Sequence, residues 1–494
     1  MKKYFIKKSL MVTFLLFILM SCGSTSGAIS TDQEYDTDHE YSISELKKDF
    51  IILRGALEEV HGGLYRYSSK IEMDALFDEL DGSLDHGMTE REFLREVSTL
   101  VAQIGCGHTN VDPSEGFNTY WFQHGTTFPL DVKLIGDKVY VSHDYRESET
   151  ELTGLEILTI NEIPVADIIE KFVSFISSDG RNITGKYRCI DSYFPYLYSA
   201  FIGEPNTFNI KGKLLGIDED STFSVIAMTV PDLDAARNAA YNAEEEKVLD
   251  FQVLDTSSTA ILSISSFDER IDSYKIFLKN SFNQIAEENI SHLIIDLRGN
   301  GGGEDEQGAL LFSYLTDTPF DYYDSLSTRT DTISFRQYFF GNIISDMTIQ
   351  GFLNPAKNGI FQVKTDRMNL LNLQNPQKKP YNGNVYILTD GGSFSATTEF
   401  TSIAHNDERA LFIGEEAGGG YYGNNSGVTI MLRLPNTGLE IAVPMINYMM
   451  AVSDYPDEDR GLIPDYPIEA SIEDLLNGTD RVLEFTQELI TSSL

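Results

Sequence analysis

From Ser42 onward the apolar positions fall at helical spacing, with Leu46, Phe50, Leu53, Leu57 and Val60 on one face. Ser42 and Glu45 in front of them have the spacing of a capping box, in which each side chain satisfies a free N–H at the helix start. Thr89 and Glu92 repeat the device ahead of Phe93, Val97, Leu100 and Ile104, and Gly105 supplies a stop. The pattern predicts a helical cap subdomain over 42–115, with His108 just beyond its last helix. The period then shortens to that of strands, at 128–134 and 138–141, opening a β-rich module over 116–231. Residues 232–249 are polar and alanine-rich and read as a helical or mobile connector. Over 250–494 strands and helices alternate: strand 260–264, a helix near 272–288, the buried strand 293–297, strand 385–388, a helix after Ser395, strand 410–413 and a hairpin about 435–438. Such alternation gives an α/β domain whose strand C-terminal ends are open to chemistry.

The front of the chain follows a different logic. Lys2, Lys3, Lys7 and Lys8 precede an apolar run over 10–20 broken only by Thr13. A span of the bilayer takes about 20 apolar residues, so this run is a secretory signal peptide, 1–21, rather than a membrane helix. It ends Leu19-Met20-Ser21-Cys22, which resembles the lipobox of bacterial lipoproteins. That resemblance implies cleavage before Cys22, its lipidation, and an exported protein held in the cell envelope on the periplasmic or surface face, joined to the membrane by its N-terminal lipid. Residues 22–41, small, polar and acidic, then form a flexible tether.

Asp and Glu number 76 against 37 Lys and Arg, a net charge of -39, which excludes nucleic acid as a partner and disfavours anionic headgroups. Beyond Cys22 only Cys106 and Cys189 remain, too few to read as a disulfide framework. No set of His, Cys, Asp and Glu has metal-ligand spacing, so no metal and no cofactor are expected.

Two glycine-rich turns carry candidate chemistry. Asp296-Leu-Arg-Gly-Asn-Gly-Gly-Gly303 follows a wholly apolar strand, and consecutive glycines leave N–H groups unshielded, as an oxyanion cradle requires. A tight strand-to-helix turn is the plainer reading of that segment, with Asp296 and Arg298 holding it together. Thr389-Asp-Gly-Gly-Ser-Phe-Ser395-Ala-Thr-Thr-Glu399 puts a serine at a strand-to-helix corner beside the free N–H groups of a helix start. Ser395 there is either an acyl-transfer nucleophile or simply the cap of its helix.

Together the two turns resemble the tail-specific (C-terminal-processing) serine peptidase family. The segments 259–267, 413–420 and 461–465 resemble it in the same order, and His61-Gly-Gly-Leu-Tyr65 and Gly107-His-Thr109 do so more loosely. The stretch 152–165 is similar to the core of PDZ modules, with Glu162 where a glycine is usual. The resemblance implies an α/β fold with a crotonase/ClpP-like protease core, a helical cap and a PDZ-like module that grips polypeptide by adding it to a sheet edge. It also implies Ser395 as nucleophile, with an oxyanion held by the N–H of Ala396 and of Gly301 or Gly302.

The base departs from the commoner pattern, because the family's lysine slot is Gly420. The tricorn-like branch draws its base from a histidine after the N-terminal helices, and His108 matches it, although Gly107 stands where that branch has a serine. The supporting acid by position is Glu458, with Asp457 and Asp459 as competitors. His61, His124, His143 and His292 read as structural, His405 as pointing away, and Cys106 as a weak rival nucleophile. The chain thus reads as a lipid-anchored serine endopeptidase acting on extended or unfolded polypeptide. The alternative is an inactive relative that binds peptides or small ligands.

Overall fold

The computed structural model describes residues 35–146, 148, 150–217, 219–241, 247–254, 258–341 and 344–492. The expected leader 1–21, Cys22 and the tether as far as residue 34 lie outside them. Among the described residues no helix is long and apolar enough to cross a membrane.

Capping boxes start the first three described helices: Ser42/Glu45 at Ile43–Val60, Ser69/Glu72 at Lys70–Ser83 and Thr89/Glu92 at Glu90–Ala102. Their apolar faces, including Phe50, Leu53, Leu57, Phe77, Phe93 and Val97, meet in one core. The second of these helices buries only Met73, Phe77 and Leu80, a stripe too thin to show in the apolar pattern. A further helix, Glu115–His124, runs across the expected border between cap and β-rich module at 115/116, so that border falls inside an element.

The β-rich module is a 6-stranded antiparallel sheet whose main path runs Ser221–Ile226, Thr207–Lys213, Glu156–Ile160, Lys138–Asp144 and Leu130–Ile135. Ile163–Pro164 folds back on Glu156–Ile160 through a two-residue turn with φ of 50° at Asn161 and 69° at Glu162. The position where PDZ modules carry glycine therefore keeps its left-handed backbone here, at a steric cost of about 1–2 kcal/mol for Glu162. Helices Val165–Phe175 and Thr184–Phe201 are inserted before the next strand. The connector expected over 232–249 is helical in its first part, Val230–Tyr241, and Leu249 already opens the first strand of the core.

In the core, strands Leu249–Leu254, Thr259–Ile264, His292–Asp296, Asn384–Thr389, Leu411–Gly414 and Tyr466–Pro467 lie side by side in chain order. The first pair is antiparallel and the others parallel. The strand His292–Asp296 is buried along its whole length, as its run of apolar residues requires. A second 6-stranded sheet is built on the hairpin of Asn425–Arg433 and Glu440–Met450. Its long strand also pairs with Val111–Asp112, just beyond His108, and that pairing ties the front of the chain to its back.

Candidate active site

In the core sheet Asp296 sits opposite Leu388 on a parallel neighbour, so the two glycine-rich turns leave the same edge side by side. They are stitched together. The Leu297 N–H donates to Leu388 O at 3.0 Å and the Phe394 N–H to Asn300 O at 3.0 Å. The Ser393 hydroxyl donates to Leu297 O at 2.8 Å, and the Gly299 N–H to Asp390 Oδ1 at 2.8 Å. Arg298 bonds both Asp296 and Asp480, in keeping with a structural role for that pair.

Ser395 occupies the corner with φ 55° and ψ -126°, a backbone region that a residue with a side chain adopts only when its surroundings impose it. The imposition is visible at Gly302. A Cβ on that glycine would lie 2.8 Å from Ser395 Cβ and 3.0 Å from Ala396 N, so only a bare backbone can pass beneath the serine. The Ser395 side chain makes no cap to helix Ala396–Asn406, which decides against the capping reading. Its hydroxyl instead lies 3.1 Å from His108 Nε2. One turn on, Glu399 is fully buried and accepts from Tyr323 Oη at 2.6 Å and Asn424 Nδ2 at 2.8 Å, fixing the helix from below.

The loop that brings His108 is pinned from several sides. Asn110 O accepts from the Ala442 N–H at 3.0 Å, beside the Val111–Asp112 pairing. His61 Nδ1 accepts the Gly63 N–H, so its Nε2 carries the proton and donates to Thr109 Oγ1 at 2.7 Å. Burial pushes the His61 pKa down to about 3, which keeps this neutral bonding pattern through ordinary pH. The His108 ring stacks on Phe394, centroids 4.6 Å apart, so the residue before Ser395 holds one face of the imidazole. Burial lowers the pKa of His108 below its ordinary 6.5, with Asp179 pulling the other way. A neutral imidazole aiming the Nε2 lone pair at Ser395 carries its proton on Nδ1, which is buried and has no hydrogen-bond partner among the described residues.

The other expected residues are placed as follows. The Ala396 N–H opens the helix behind Ser395. Of the two candidate glycines, Gly302 already donates its N–H to Asn300 Oδ1 at 3.0 Å. Glu458 is exposed, and no described hydrogen bond or ion pair joins it to His108. Its neighbour Asp459 is engaged with Arg181, Oδ1 to Nη2 at 2.8 Å. His405 faces Tyr421 Oη at 2.9 Å, away from the serine. The Cys106 thiol is buried and donates to Asn425 O at 3.6 Å, and burial raises its pKa to about 11, far from a thiolate nucleophile.

Sequence reasoning passed over Asp179. This side chain is 1% exposed; its Oδ1 accepts the Gly107 N–H at 2.8 Å and its Oδ2 the Gly420 N–H at 3.1 Å. Cys106, His108 and Asp179 bring a sulfur, a ring nitrogen and a carboxylate oxygen within 4.8 Å of one another, the donor types zinc uses. Each member is engaged elsewhere: the thiol with Asn425 O, the imidazole with the Ser395 hydroxyl and the carboxylate with its two N–H groups.

Gly420 shows why the lysine slot is vacant. A Cβ there would lie 2.8 Å from Gly423 O and 2.8 Å from Tyr67 Oη. Gly420→Lys is expected to destabilise the fold by roughly 1–3 kcal/mol in denaturant titration, and to restore no turnover to a chain lacking His108. Recovery of activity in the double variant would show the slot to be open.

Residues 258–468 match the model of Peptidase family S41. No curated protein matches the chain. Among solved structures, mature CPAF complexed with lactacystin superposes with a TM-score of 0.62 at 14% identity, covering 91% of this chain and 98% of that one. Mature CPAF alone gives a TM-score of 0.61 at 13% identity, over 91% and 96%. These likenesses show a shared mixed α/β fold, running through cap, β-rich module and core alike. The Ser395 corner lies inside the segment, residues 258–468, that resembles Peptidase family S41, and the chain is a serine-type peptidase.

Proposed function

We propose that this chain is an exported, lipid-anchored endopeptidase that cleaves peptide bonds in extended or unfolded polypeptide through an acyl-enzyme on Ser395, with His108 as base. The observation that carries the reading is the 3.1 Å approach of His108 Nε2 to the Ser395 hydroxyl, between residues 287 positions apart in the chain. Nε2 takes the hydroxyl proton as Oγ bonds to the scissile carbonyl carbon, and the carbonyl oxygen gains the charge. The N–H groups of Ala396 and Gly301 donate to that oxygen, reinforced by the start of helix Ala396–Asn406. The imidazolium then protonates the leaving amine, and a water activated by the same nitrogen releases the acid and restores the serine.

The core would be of the crotonase- and ClpP-like kind, with the nucleophile at the carboxyl end of a parallel strand. The β-rich sheet ends in the strand Ser221–Ile226, an edge to which an extended segment can add. Cys22 would carry the lipid, and the leader would be removed.

A fluorophosphonate probe tests the centre directly. Covalent labelling that maps to Ser395, and is lost on prior denaturation, is the expected result. A folded chain that takes no label, or takes it elsewhere, would sink the assignment and favour the alternative of a lipoprotein that binds without hydrolysis.

A further inference from the structure

We propose that Asp179 is the positioning residue of the catalytic base: its carboxylate, held by the N–H groups of Gly107 and Gly420, pins the loop that carries His108 and sets a negative charge within 4.8 Å of a ring nitrogen, where it stabilises the imidazolium formed as Ser395 gives up its proton. The inference rests on the Ser395–His108 reading above and adds to it an acid supplied from the loop ahead of helix Thr184–Phe201 rather than from the loop around Glu458.

Asp179 cannot drift. The Gly180 N–H donates to Gly105 O at 2.9 Å and the Arg181 N–H to Asp459 O at 2.8 Å, while Asn182 Nδ2 reaches Ala417 O at 2.8 Å. Three distant parts of the chain thus clamp a four-residue loop. An imidazole that takes a proton in a buried setting needs a negative group close by, because water is not there to share the charge. Asp179 lies within 4.8 Å and Glu458 is exposed to solvent. The remaining titratable neighbours supply nothing of the kind. Cys106 and Tyr67 are both raised by burial and stay neutral, and Glu399, itself pushed well above the usual carboxylate range by burial, is committed to Tyr323 and Asn424. Arg66 donates to the carbonyls of Asn424 and Tyr448.

Both departures from the family pattern become one feature on this account. A Cβ on Gly107 would lie 2.8 Å from the Phe394 ring that stacks on His108, and one on Gly420 would meet Gly423 O. Bare backbone at each position lets an N–H approach the same carboxylate. A serine at 107 or a lysine at 420 would displace the group that replaces them.

Asp179→Asn in the full chain keeps one carbonyl acceptor and removes the charge. Turnover is expected to fall about 10²-fold with KM little changed, and the acidic limb of kcat/KM to move to lower pH, since the group that raises the His108 pKa is gone. A merely structural aspartate would lower the folded fraction without moving that limb. Asp179→Glu, which restores the carboxylate, is expected to return the limb towards the wild-type position, and it serves as the readout should the asparagine variant fold poorly. A folded Asp179→Asn chain with the wild-type limb, an Asp179→Glu limb displaced to lower pH, or a displaced limb in Glu458→Gln instead, overturns the proposal. These outcomes leave the Ser395–His108 centre standing, whereas a wild-type chain without label or turnover removes that centre itself.

Discussion

Ser395→Ala removes peptide hydrolysis, by an expected factor of about 10⁴ or more, while the fold survives intact. The size of the effect follows from the chemistry: among the described residues no other hydroxyl shares the contact with His108 Nε2, and without it no bond to the carbonyl carbon forms. The survival of the fold follows from the local structure. The hydroxyl does not cap the helix, and alanine meets the same backbone geometry at φ 55° as serine does. The one lost hydrogen bond puts the stability change below about 1.5 kcal/mol, measurable by thermal or denaturant unfolding. Undiminished turnover in this variant would move the nucleophile elsewhere, and collapse of the fold would mean that the serine is structural after all.

His108→Gln is expected to cost on the order of 10²–10⁴ in kcat/KM and to change the pH response in two separable ways. In the wild-type chain burial holds the imidazole pKa below 6.5, so the base is neutral across ordinary pH and activity declines only as pH falls below that value. The glutamine variant has no such limb. Stability shifts the other way. A histidine whose folded pKa is depressed takes up its proton more readily unfolded, so its contribution is complete above 6.5 and is lost as pH falls through 6.5 towards the folded value. The variant therefore resists acid better than the wild type while hydrolysing far worse. A wild-type chain whose activity holds to the same pH as the glutamine variant would show that this imidazole does not titrate in catalysis.

Much of this was visible before any fold was known, because some chemistry leaves local marks. Apolar strand, glycines, serine and helix start are contiguous around Ser395, and the vacancy at Gly420 directs attention to a histidine elsewhere. The capping boxes at the front of the chain likewise mark helix starts, although the one at Ser69 and Glu72 is hard to read because its helix has few buried apolar residues to announce it. Asp179 left no such mark. In sequence it is one polar residue of Ser177-Ser178-Asp179-Gly180, the composition of any surface turn, and its burial arises only when the loops at 105–107, 417–420 and 459 close over it. Glu458 matches only by its distance from a terminal motif, a quantity that says nothing about which way a loop side chain faces. The commitment of Gly302 to Asn300 is equally invisible to a motif, since three glycines in a row look alike until one N–H is taken.

The pairing of Val111–Asp112 with the strand Glu440–Met450 has a consequence for the life of the chain. As a polypeptide grows from its amino end, the imidazole emerges early, the alcohol much later, and the strand that docks one against the other later still. A shorter chain lacks the strand that docks the one against the other. A peptidase assembled in this order becomes able to cut only once nearly all of it has been made.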